Sequence, residues 1–106
     1  MNLNDLTKAN IERQKFWDPE DKLDLLYRSN ELMGEAGEAA NVVKKLKRAE
    51  LGLVGSRDTI EHLCEEIADI IICASLLALK AGINLEEAVK QKFNKTSDAI
   101  GSKIKL

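Results

Sequence analysis

Four acidic residues in this 106-residue sequence stand out by type and spacing: Glu35 and Glu38, then Glu66 and Asp69. Side chains three apart share one face of a helix, and like charges held that close repel. A hard divalent cation such as Mg²⁺ removes the repulsion, taking carboxylate oxygens together with waters and substrate phosphates. Two such pairs on neighbouring helices make a four-carboxylate site at the helix–helix seam. The plainer reading, a solvated acidic face, fits Glu35 and Glu38 as well, since both lie off the Leu25–Met33–Ala36–Ala40 stripe of a helical wheel. Asp69 fits it poorly. It sits within Ile67-Ala68-Asp69-Ile70-Ile71-Ile72, and a carboxylate in apolar surroundings is costly unless paired or metal-bound. A lysine, Lys92 or Lys44, is the structural alternative to a metal.

The elements that must position these residues are helical. A first helix is expected from about Leu3 to Trp17, interrupted by Asp18-Pro19. Asp is a good N-cap and Pro suits the first position of a new helix, so a second helix is expected from Pro19 or Lys22 to Arg48. Its apolar residues, from Leu25 through Met33 and Ala40 to Leu46, follow three/four spacing. Gly34 and Gly37 weaken it, a cost easier to accept where another backbone or a ligand comes close. After a loop over about Ala49 to Arg57, Asp58-Thr59-Ile60-Glu61 has capping-box character. The third helix runs on to Lys80, with Gly82 as a left-handed cap. Asn84 opens a fourth helix to about Ser97 or slightly beyond, and Gly101 to Leu106 reads as a frayed tail.

Between Ile67 and Leu79 the third helix is apolar nearly all round. Such a helix is buried on every side. One short bundle cannot cover it, so an oligomer is expected, with a tetramer favoured.

Composition agrees. One proline, six glycines and 4% aromatics suit an all-α bundle in a single domain over residues 1–106. A net charge of −2 with no basic tract argues against a nucleic-acid partner. Lys44, Lys45, Lys47 and Arg48 suit a helix C-terminus. No apolar run is long enough to span a bilayer. Cys64 and Cys73 on one helix stand roughly 13 Å apart, too far for a disulfide, so reduced thiols and a cytoplasmic location are expected. Both read as packing residues, and His62 as a surface residue.

The two motifs, with their surroundings, carry a resemblance. Glu35-Ala-Gly-Glu38 and Glu66-Ile-Ala-Asp69, separated by 27 residues, match the E-x-x-E and E-x-x-D pair of the all-α nucleotide pyrophosphohydrolases. That family includes MazG proteins, dimeric dUTPases and dCTP pyrophosphatases. The segments ELMGEAGEAANVVKKL and CEEIADIIICASLLALKAGINLEEAVKQKFNK are similar to its two motif helices, connecting turn and last helix, and the likeness covers about residues 16–97. It implies a four-helix MazG-like bundle, oligomeric as a dimer or a dimer of dimers. It implies that Glu35, Glu38, Glu66 and Asp69 bind Mg²⁺, with Mn²⁺ as a substitute. It also implies that Lys92 and Asn94, with Lys95 a weaker candidate, contact the triphosphate. The implied reaction is attack of water on the α-phosphorus of a nucleoside or deoxynucleoside triphosphate, releasing monophosphate and pyrophosphate to clear unwanted or surplus nucleotides. Either Glu35 or Glu38 activates the water.

Several readings stay open. After Asn94 the chain departs from many relatives, with Thr96, Ser97 and Asp98 where basic or tyrosine residues often follow. Lys92 reads as a phosphate ligand or an ordinary solvated lysine. Trp17 reads as a base-stacking residue or as a core cap, while Phe16 and Phe93 read as core. A non-catalytic helical interaction or nucleotide-binding module is the competing function. A di-iron bundle is disfavoured, because no Glu-x-x-His pair occurs.

Overall fold

A computed structural model describes all 106 residues as four helices and no strand: α1 (Leu3–Trp17), α2 (Leu25–Glu50), α3 (Ile60–Lys80) and α4 (Leu85–Ile100). Each begins at a side-chain cap that satisfies a free amide of the first turn. Asn2 and Asp5 cap each other's backbone N–H in a reciprocal box at α1. Asp24, Thr59 and Asn84 accept from Tyr27, His62 and Glu87 at the other three.

Three boundaries differ from expectation, each because a side chain competes for backbone. The Asp18 carboxylate accepts from the Lys22 N–H at 3.0 Å and the Leu23 N–H at 3.2 Å. That turn, with Asp21 at φ 51°, holds the chain out of the helix, so α2 starts at Leu25 and not at Pro19 or Lys22. Thr59, not Asp58, caps α3, which frees Asp58 for other partners. The tail is not frayed. Gly101, at φ 75°, ends α4 just after Ile100, within the expected bound, but the Asn94 side chain then pairs with both backbone groups of Leu106. Gly82 behaves as expected, with φ 71° and Ile83 N–H donating to the Ala78 carbonyl at 2.8 Å.

The centre of the fold is the antiparallel pair α2–α3. Lys45 late in α2 meets Asp58 before α3, and Glu35 and Glu38 in mid-α2 meet Glu66. α1 packs across α3, where Thr7 Oγ1 lies 3.4 Å from Ser75 Oγ. α4 touches α1 and α3 but not α2, and Asn4 donates its backbone N–H to Glu86 at that junction.

The face of α2 turned toward α3 is not the apolar stripe. Its buried residues are Arg28, Ala39 and Val42, whereas Leu26 and Met33 are 69% and 70% exposed. Ile67 and Ile71 of α3 are also exposed. Only five apolar residues are buried in the protomer. Its radius of gyration is 17.1 Å, against about 13 Å for a compact domain of about 100 residues. The protomer is open, with its hydrophobic surface facing outward.

Arg28 is 1% exposed and pins the α1–α2 junction. Its guanidinium donates to Glu31 Oε2 at 2.9 Å and to Gln14 Oε1 at 3.1 Å. Arg28→Ala leaves both acceptors unpaired and a void beneath them. It is expected to cost about 2–4 kcal/mol in a denaturant titration, whereas the exposed Lys22→Ala should stay within about 0.5 kcal/mol.

Candidate active site

The α2–α3 seam brings Glu35, Glu38 and Glu66 together. One carboxylate oxygen from each lies within 4.8 Å of the others. Two helical turns supply the set: Glu35 and Glu38 sit three apart on α2, and the antiparallel crossing presents Glu66 of α3 to them. Glu66 is 7% exposed. Glu35 Oε2 and Glu66 Oε2 are buried with no hydrogen-bond partner. Buried polar atoms are otherwise nearly always partnered, so two bare carboxylate oxygens in one cluster could take a cation. Asp69 lies next to the group, in the wall of the adjoining cleft, and its charge is felt at Glu35. No lysine or arginine pairs with it.

Electrostatics carry the same message. The Glu35 carboxyl is pushed up to about 7, first by burial, then by hydrogen bonding and repulsion from Glu38, with Asp69 and Glu66 adding to it. No lysine or arginine pairs with Glu35, Glu38 or Asp69 to offset this crowding. All the donors are carboxylate oxygens, a set that fits a hard divalent ion such as Mg²⁺ or Mn²⁺.

His62, read from sequence as a surface residue, is tied into the group. Its Nε2 lies 2.8 Å from Glu66 Oε1 and its Nδ1 2.8 Å from Asp58 Oδ1. The hydrogen bond to Asp58 is the main cause that raises its pKa. The signal was in the sequence as two i, i+4 steps, Asp58 to His62 to Glu66.

A cleft of about 410 Å³ opens beside the carboxylates. Trp17 and Phe16 line it from the end of α1, with Asn10, Gln14, Glu31, Glu35 and Asp69. Phe16 is 89% exposed and Phe93 is exposed too, so neither is core. Asn10 is buried, yet its Nδ2 has no partner. Nothing in the sequence distinguished Asn10, Gln14 or Arg28, because their placement depends on how α1 crosses the pair. Burial pushes the Cys73 thiol up to about 11, so it packs as expected. Cys64 is exposed and both thiols are free.

Lys92, Asn94 and Lys95 are elsewhere within the protomer. All three ride on α4, which makes no contact with α2. Lys92 borders a separate groove of about 590 Å³ along α4, formed with Val89, Phe93 and Ile104 and lined by no acidic residue. Asn94 is engaged by Leu106.

Comparison with known families gives one match. Residues 26–99 match the MazG nucleotide pyrophosphohydrolase domain. The chain belongs to the MazG family. The matched span takes in both carboxylate pairs and reaches through Lys92, Asn94 and Lys95, and it leaves out Asn10 and Trp17. As a MazG domain, the chain is assigned to nucleotide pyrophosphohydrolase chemistry in general. No curated protein and no solved structure matches it. No helix is long and apolar enough to cross a membrane.

The raised Glu35 carboxyl makes stability depend on pH with a defined sign. Between the ordinary value of 4.5 and about 7, the folded protein holds a proton that the unfolded chain has lost. Metal-free stability therefore falls as pH rises through that window and levels off above it. Thermal melts from pH 4.5 to 8 should show this decline, Glu35→Gln should flatten it, and millimolar Mg²⁺ should reverse it at the upper end. Any slope left in Glu35→Gln above about 6.5 belongs to His62. Its raised pKa keeps its ion pairs complete below that pH and loses them as pH climbs through the folded value.

Proposed function

We propose that this MazG protein is a Mg²⁺-dependent pyrophosphohydrolase. It converts nucleoside or deoxynucleoside triphosphates to the monophosphate and pyrophosphate, and it clears unwanted or surplus nucleotides in the cytoplasm. One observation supports this most: three carboxylates converge within 4.8 Å, and two of them bear a buried oxygen that no protein donor meets. Family membership supports the reaction class.

Glu35, Glu38 and Glu66 would hold the cation, with Asp69 alongside. Bound there, it supplies neutralisation of phosphate charge and a lowered pKa for a nearby water. The chain's own residues do the rest. Glu35 and Glu38 orient the attacking water, and one of them takes its proton. The water oxygen bonds to the α-phosphorus, the α–β anhydride bond breaks, and its electron pair leaves with pyrophosphate. In the cleft beside the carboxylates, the Trp17 indole offers a face for the base, and the unpartnered Asn10 amide offers a donor for a base carbonyl.

The triphosphate also needs positive charge. Lys92 and Lys95 are suited to it as point charges, but their own α4 stands apart from the α2 carboxylates. A second copy supplies them in this reading, with Asn94 joining if it releases the tail. The outward apolar stripe through Leu25, Leu26, Met33 and Val43 supports a homo-oligomer, a dimer of dimers.

The deciding assay incubates the protein with each ribo- and deoxyribonucleoside triphosphate, with Mg²⁺ and with EDTA, and identifies products. The expected result is monophosphate plus pyrophosphate, only with the metal. Glu38→Gln and Asp69→Asn should each lower kcat at least about 100-fold, or about 2.7 kcal/mol of barrier. No turnover of any nucleotide, with helical content intact, would leave a non-catalytic interaction or nucleotide-binding module in its place. Sedimentation should give a mass near four protomers, and Met33→Asp should shift it downward. A monomer at micromolar concentration would defeat the shared-site reading.

A further inference from the structure

Glu66 meets one basic partner in the protomer, His62, and that partner engages a single oxygen. His62 Nε2 lies 2.8 Å from Oε1, while Oε2 is buried and bare. An exposed side-chain pair at i, i+4 is ordinarily of little consequence. This one differs in its anchoring. The Asp58 and Glu66 side chains that grip the ring are 9% and 10% exposed. Asp58 is itself fixed, accepting from the Thr59 N–H at 2.9 Å and lying 3.7 Å from Lys45 Nζ of α2. A continuous chain, Lys45–Asp58–His62–Glu66, therefore runs from the end of α2 into the carboxylate group.

We propose that His62 is a positioning residue that makes Glu66 a one-oxygen ligand and so biases the site toward Mg²⁺ over Ca²⁺. The inference rests on the reading of the carboxylate group as a divalent-cation site. With Oε1 held by the imidazole, only Oε2 is left for an ion. Mg²⁺ is small and octahedral and takes carboxylates one oxygen at a time. Ca²⁺ takes six to eight oxygens and accepts both from one carboxylate. Freed from His62, Glu66 can turn both oxygens to the ion, which suits Ca²⁺. Partners of this kind, one shell out from the ion, typically change metal affinity about 10–100-fold when removed.

The test uses the full-length protein without nucleotide. Mn²⁺ binding is followed by electron paramagnetic resonance, and Mg²⁺ and Ca²⁺ are titrated as competitors. Wild type, His62→Ala, His62→Gln and Glu38→Gln are compared, with circular dichroism to verify folding. His62→Ala is expected to weaken Mg²⁺ about 10-fold or more while Ca²⁺ weakens less or tightens, so that the Mg²⁺/Ca²⁺ ratio falls. His62→Gln keeps an amide donor and should restore part of the ratio. An unchanged ratio in folded His62→Ala, with wild type binding Mg²⁺ and Glu38→Gln not, overturns the role of His62 alone. Mn²⁺ binding absent from wild type, or unaffected by Glu38→Gln, overturns the cation-site reading and this inference with it.

Discussion

The rest of the structure is organised around an electrostatic conflict at the α2–α3 seam. The most extensively packed helix pair in the molecule meets through carboxylates where a small helical domain would ordinarily place leucines. Glu35, Glu38 and Glu66 share a space a few ångströms across, with Asp69 at its edge. Burial and repulsion raise the Glu35 carboxyl to about 7, and no lysine or arginine enters to relieve it. A seam of that kind is costly to fold, and a bound divalent cation would offset the cost by occupying the same oxygens. In the proposed function, the feature that weakens the metal-free fold is the one that supplies the chemistry.

A second consequence concerns the apolar residues. Because the inner face of α2 is given to Arg28, Glu35, Ala39 and Val42, its Leu25–Met33–Val43 stripe is turned outward. The same holds for Ile67 and Ile71 on α3. A protomer with five buried apolar residues and a radius of gyration of 17.1 Å has little core of its own. Under the proposed shared site, hydrophobic burial and the completion of that site become one requirement. In the proposed assembly, the copies that would cover the stripe are the copies whose lysines would reach the triphosphate.

Within the protomer, the polar anchors have separate tasks. Arg28 and Gln14 fasten α1 to α2 at one end of the cleft. Asp58 and His62 fasten the start of α3 to Glu66. Between them lies the space bordered by Trp17, Asn10 and the carboxylates. A rigid frame with bare donors and acceptors facing a cleft is what selective binding of a polar ligand requires.

The sequence by itself determined what is local. Helix number and type, the Asn84 cap and the Gly82 stop follow from patterns within a few residues, because hydrogen bonding in a helix is local. The two carboxylate pairs were legible for the same reason, since three-residue spacing fixes a shared face. Local rules misplaced the start of α2, where Asp18 captures two amides, and the tail, which Asn94 holds. Only the tertiary structure decided which face of α2 turns inward. A helical wheel ranks faces by hydrophobicity and assumes that the most apolar one is buried in its own chain. Here that face is exposed, and the inner face carries charge. The roles of Asn10 and Arg28, and the distance of α4 from the carboxylates, depend on how helices cross over tens of residues, and no local pattern encodes that crossing.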